Sequence, residues 1–227
     1  MAKAQIGYNY SQYDLGASGM LSMPSGSFAK PLKRYGAQLH FTYNYSPYIN
    51  YIAEVQVGSL AGGSNSDLPE ESFSYANDYT AVSFRAQLQM GEILDYSRSR
   101  FINFFKNLYV SSGVGVIYTS AKDFDVTTDE NLDDTDPSIP ITYVEVNASN
   151  KSSSIFIPLK TGYELKLFNS YNEPWAKIDL GYQYNVVMSH TFDGLSLNSG
   201  NNNWSQFVVG VKFALGGITS YRKSIRY

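Results

Sequence analysis

From residue 12 onward, apolar and polar positions alternate with a period of two in eight windows, separated by stretches rich in turn-forming residues. The clearest runs from 34 to 45, with Tyr35, Ala37, Leu39, Phe41, Tyr43 and Tyr45 in one phase and Arg34, Gly36, Gln38, His40, Thr42 and Asn44 in the other. A helix would mix these two sets, whereas a strand separates them onto opposite faces. Windows 79–90 and 175–188 repeat the pattern, and 12–23, 49–60, 108–119, 154–167 and 204–215 each keep one apolar phase. Window 108–119 is glycine-rich on its other face. The pattern predicts eight antiparallel strands.

Charge changes the picture most. Glu54, Arg85, Lys160, Glu164, Lys166, Lys177, Asp179, Lys212 and Asp14 all fall in the phase opposite the apolar one. Holding Lys or Arg against lipid costs about 2–4 kcal/mol at the bilayer midplane, so a lipid-facing wall would impose this parity. A soluble eight-stranded carrier of the lipocalin kind would show the same alternation inside out, and composition separates the two. A water-facing surface is about 25–35% charged. Here the polar phase is mostly Gly, Ser, Gln and Asn, and only 16% of the whole chain is charged against 20 Tyr and 13 Phe. The windows also match the roughly 9–11 residues that cross a bilayer at a tilt. The expectation is an all-β, eight-stranded, antiparallel up-and-down transmembrane barrel over 12–216, with a lead over 1–11 and a tail over 217–227.

An even strand number puts both termini on one side. Connections leaving odd strands are long (24–33, 61–78, 120–153, 189–203), while Ser46-Pro47-Tyr48 and 168–174 are short. Short turns face the periplasm in outer-membrane barrels and long loops face outward, which places both termini in the periplasm. Tyr43, Tyr45, Tyr48 and Tyr51 gather at one short turn, with Tyr171 and Trp175 at another, as an interfacial girdle would require. The exception is 91–107, which no longer alternates. Ile93, Leu94, Phe101, Phe104 and Phe105 can share a helical face, and a short interfacial helix with Arg98, Phe101, Phe104, Phe105 and Lys106 at the headgroups would follow. Strand extensions around an ordinary loop account for the same residues.

The net charge of −3, from 17 Lys plus Arg against 20 Asp plus Glu, offers no basic field for nucleic acid. The absence of cysteine excludes disulfide frameworks and thiol chemistry. Ala2-Lys3-Ala4 before Gln5 has the form of a signal-cleavage site, so 1–4 reads as a remnant or a short unstructured lead.

Taken together, Tyr13-Asp14-Leu15-Gly16, the strand Tyr109-Val110-Ser111-Ser112-Gly113-Val114-Gly115, Leu180-Gly181-Tyr182 and Gly210-Val211-Lys212-Phe213 resemble the small eight-stranded outer-membrane barrels of Gram-negative bacteria. These are the OmpA-type transmembrane domain and its OmpX and OmpW relatives. The likeness to the OmpA type covers the barrel alone. Phe207 to Phe213 also resembles the aromatic-rich last strand read by the barrel-insertion machinery. The resemblance implies an integral protein of the bacterial outer membrane, in contact with its lipid and lipopolysaccharide.

Inside such a barrel Glu54, Arg85, Lys160, Glu164, Lys177, Asp179 and Lys212 would form a salt-bridged polar network, since eight strands leave room only for side chains or one small ligand. His40 and His190 invite a lipid-modifying reading, but Ser189-His190-Thr191 with Asp193 matches such enzymes in residue type only. The loop 121–151 carries eight acidic residues against two lysines, and Asp129 to Asp136 lacks the spacing of a calcium loop, so a solvated acidic loop is expected. Asn147, Asn150 and Asn203 begin accidental sequons. No enzymatic role, cofactor or metal is expected. The sequence leaves open a stand-alone structural or surface-exposed barrel, an accessory subunit contacting other outer-membrane proteins, and a narrow solute channel.

Overall fold

The computed structural model describes residues 5–25, 30–65, 71–94, 99–128, 151–171, 173–188 and 203–224. The strands are β1 (Gln5–Ser25), β2 (Lys30–Leu32), β3 (Arg34–Asn44), β4 (Ile49–Asn65), β5 (Glu71–Gln89), β6 (Leu108–Thr128), β7 (Lys151–Phe168), β8 (Pro174–Val187) and β9 (Asn203–Ser224). β2 and β3 are one stave interrupted at Lys33, so the wall has eight staves. Each stave pairs antiparallel with its neighbours in the chain, β1 pairs with β9, and β4 with β5 completes the circuit. Closure leaves no sheet edge in the wall, the condition for a sheet in hydrocarbon.

All eight alternating windows lie in these strands, with Tyr45, Met90 and Met188 just beyond a strand end. The strands run further than the windows. β4 continues to Asn65 and β5 begins at Glu71, so much of 61–78 is ladder rather than loop. At the other end β1 begins at Gln5 and β9 runs to Ser224, so β1–β9 pairing resumes beyond a register shift near the expected limits of 12 and 216. Outside hydrocarbon both faces of a strand meet water, and pairing persists where alternation is no longer required.

Two local breaks shape the wall. The β1–β9 ladder shifts between Ser11 and Tyr13, where Gln12 lies opposite Gly216 and Gly217. Gly216 has φ +78, a left-handed conformation that suits a bulge and that a Cβ would strain. The β6–β7 ladder skips Gly113 and Val114 opposite Ile157 and Pro158, where proline has no N–H to give.

The segment between β5 and β6 combines a 3-10 turn, Met90–Glu92, with a short helix α1, Arg100–Phe105. Among the described residues no helix is long and apolar enough to cross a membrane, which says nothing about a barrel.

Candidate functional site

Among the described residues, buried polar and charged side chains gather in the lumen. Period-two alternation sends Asp14, Glu54, Arg85, Lys160, Glu164, Lys177, Asp179 and Lys212 inward, all of them buried. They form four ion pairs, and four carboxylates balance four cations. Lys177 Nζ donates to Asp14 Oδ2 at 2.6 Å, with Ser11 Oγ and Asn44 Nδ2 completing the carboxylate at 2.7 and 2.8 Å. Lys212 Nζ donates to Glu164 Oε2 at 2.8 Å, and Gln89 Nε2 to Glu164 Oε1 at 2.9 Å.

Further along the axis Lys160 Nζ donates to Asp179 Oδ2 and the Tyr109 hydroxyl to Asp179 Oδ1, each at 2.6 Å. The Arg85 guanidinium pairs with Glu54 and also donates to Ser111 Oγ at 3.0 Å, while Gln56 Nε2 takes the other Glu54 oxygen at 2.6 Å. Each charge thus has a partner, and each of the four carboxylates takes a further donor on its other oxygen, which buried ions require. All seven charges expected in the lumen lie there. Asp14 and Gln89, both in the polar phase of their windows, join them, as does Tyr109.

A second polar layer follows toward the long-loop end. Gln206 Nε2 donates to Tyr79 Oη at 2.8 Å and lies 3.2 Å from Gln56 Oε1. Beyond it the lumen turns apolar: Met20, Leu60, Tyr79, Ala81, Ile117, Phe156, Trp204 and Val208 pack into one buried cluster. The Phe156 and Trp204 rings are 5.1 Å apart, and Tyr79 and Trp204 6.0 Å apart. This cluster was hidden in the sequence because its members sit in the nominally polar phase.

The tight-turn end is also occupied. Tyr48, expected in an interfacial girdle, is fully buried there, against Gly91. It follows a turn rather than a strand, so strand parity does not fix its direction. Lys166 Nζ sits 5.0 Å from the Tyr48 ring centre and donates to Pro47 O and Gln89 Oε1 at 2.7 and 2.8 Å. The β1–β9 extension reaches over this end: Tyr221 meets the edge of Tyr48 at 6.2 Å, and its hydroxyl donates to Glu92 Oε1 at 3.3 Å. Glu92 follows β5, four staves from β9, so the contact bridges opposite sides of the mouth.

The outer wall is apolar. Leu39, Val55, Val82, Val116 and Ile155 are exposed, and their register places them in one row across five staves. Aromatics follow toward the tight-turn end: Tyr13 stacks on Phe41 at 5.7 Å, Tyr43 on Tyr51 and Tyr51 on Phe84 at 6.4 Å each. Such a wall suits hydrocarbon with an aromatic belt at its boundary. In α1, Phe101 and Phe104 are exposed, and Phe104 stacks on Tyr163 at 5.2 Å. Lys106 lies just after the helix, with burial lowering its pKa. Arg98 lies outside the described residues.

His40 is buried in the lumen beside Gly16. Ser189, His190, Thr191, Asp193, the acidic stretch from Asp129 to Asp136, the sequon residues Asn147 and Asn150, and residues 1–4 lie outside the described residues. Among the described residues no group of three or more His, Cys, Asp and Glu side chains is placed to hold a metal ion.

No protein-family model matches the chain, and no curated protein does. Among solved structures it is similar to Neisserial surface protein A, at 12% identity and TM-score 0.47 over 90% of this chain and 98% of that one. It is similar to Ail, the attachment invasion locus protein of Yersinia pestis, at 12% identity and TM-score 0.46 over the same shares of the two chains. The outer membrane protein OprG from Pseudomonas aeruginosa is 12% identical, with TM-score 0.38 over 96% of this chain and 98% of that one. The likeness is one of overall fold.

Proposed function

We propose that this chain is a sealed, non-enzymatic barrel of the bacterial outer membrane, with its tight turns and termini toward the periplasm, that works through its surfaces rather than its lumen. The observation carrying this reading is the continuous stack inside the wall. The Tyr48–Lys166–Tyr221 floor, the four ion pairs, the glutamine layer and the apolar cap follow one another along the axis. An eight-stranded barrel is just wide enough for side chains to fill it, and buried side chains occupy each of these layers. A stand-alone barrel embedded in lipid and lipopolysaccharide and acting through its external loops is the form we favour. Single-channel recording of the reconstituted protein tests it: no steady conductance is expected, and a large open conductance would overturn it.

A second reading is an accessory subunit of a larger outer-membrane complex. What favours it is the tight-turn end, where the β1–β9 ribbon continues beyond its neighbours and α1 exposes Phe101 and Phe104. Extraction in mild detergent followed by sizing separates the two: migration alone supports the first form, and a stoichiometric assembly the second.

A further inference from the structure

The register shows where the apolar outer wall ends toward the long loops. The row Val55, Val82, Val116 and Ile155 is wholly apolar. One step on, the row reads Val57, Thr80, Tyr118 and Ser153; a further step gives Ser59, Asp78, Ser120 and Lys151. The change takes four residues of strand, about 13 Å of chain and less in depth because barrel strands tilt. Hydrocarbon gives way to headgroups over a similar distance.

A groove of about 910 Å³ crosses the wall at this level, from Tyr35 on β3 to Lys151 on β7. It lies on the outside, since Tyr35, Val57 and Tyr118 among its lining residues are exposed. Small outward residues make its bed, Ser59, Thr80, Ser120 and Ser153. Its volume is in the range of ligand clefts, about 300–1,000 Å³.

We propose that this groove holds one membrane lipid with a phosphorylated headgroup, its phosphate at Lys151 and its chains running down over Val57 and Val82. The proposal rests on the reading of the chain as a membrane barrel, because at that depth the neighbour of the wall is lipid. Lys151 is the cation of its row and pairs in register with Ser120, while Ser153 lies two residues along the same strand face. An ammonium flanked by hydroxyls suits a phosphate. Tyr118, with an apolar body and a polar tip, suits the boundary between chain and headgroup.

The test uses the full chain in mild detergent with added phosphatidylglycerol, or with diacylglycerol of the same chains, and native mass spectrometry to count bound lipid. Ser120→Trp fills the bed, Lys151→Glu reverses the charge, and Lys33→Glu changes an exposed cation that does not line the groove. One phosphatidylglycerol per chain is expected, weakened about tenfold, or ~1.4 kcal/mol, by either groove substitution and unchanged in Lys33→Glu. Equal binding by all four proteins, equal retention of diacylglycerol, or no bound lipid would overturn the proposal. A heat-dependent gel shift reports separately whether each variant has closed its barrel, and recovery in the aqueous fraction without detergent would sink the membrane reading itself.

Discussion

The ring of Phe156 occupies the space that a side chain at Gly115 would need: a Cβ there would lie 2.5 Å from the ring's Cε1 and Cζ atoms. The two residues are register partners on β7 and β6. Tyr79 stands in the same relation to Gly58, Tyr48 to Gly91, Met20 to Gly36, and Tyr109 to both Gly162 and Gly181. A narrow lumen is thus filled by pairing a large side chain with an adjacent absence of one. Gly115→Ala should therefore destabilise the barrel by about 1–3 kcal/mol through overpacking. Gly19→Ala, where nothing lies within 4 Å, should change stability by no more than about 0.5 kcal/mol. Urea unfolding in detergent, followed by tryptophan fluorescence, measures both, and equal effects would show that the pairing is not what constrains Gly115.

The Asp14–Lys177 pair joins residues 163 positions apart across the intervening β9 stave. Removing one partner strands a buried charge. Asp14→Asn or Lys177→Met alone should each cost about 3–5 kcal/mol, while the double replacement Asp14→Leu with Lys177→Met should recover most of that loss. The comparison is a double-mutant cycle on unfolding midpoints, and additive losses would mean the two charges do not depend on each other.

How much of this was legible beforehand follows from where lipid imposes a rule. Within the bilayer the outer face must be apolar, and that constraint wrote the eight strands and the inward parity of Glu54, Arg85 and Lys212 into the alternation. Outside it the rule lapses, which is why the ladder over 61–65 and 71–78 read as loop. Phe156, Trp204 and Ile117 escaped notice because an apolar residue in the inward phase breaks no pattern the bilayer enforces. Partner choice was out of reach as well: parity says that Lys177 points inward, and only closure of the circuit decides that it meets Asp14.

Arginine substitutions on the outer face should locate the bilayer boundary independently. Val116→Arg, in the wholly apolar row, should cost about 2–4 kcal/mol, and Ser120→Arg, two rows nearer the long loops, about 0–1 kcal/mol. The measurement is refolding into vesicles across a denaturant series. Similar costs at the two sites would place both at one depth and contradict the boundary drawn between them.

Gly216 controls the approach of the β1–β9 ribbon to the barrel floor. Its φ of +78 sits at the bulge beyond which Tyr221 reaches Glu92. A Cβ in the left-handed region costs about 1–2 kcal/mol, so Gly216→Ala should either strain the bulge or release the ribbon. The ribbon is the cheaper element to lose, because a two-stranded sheet is at best marginally stable by itself. Gly216→Ala should therefore leave the unfolding midpoint of the barrel nearly unchanged while amide exchange over Ile218 to Tyr221 speeds up. Glu92→Gln, which keeps an acceptor for the Tyr221 hydroxyl, should raise exchange less than Gly216→Ala. Exchange in the ribbon equal to that of the unchanged protein would mean that the bulge does not govern how the floor is closed.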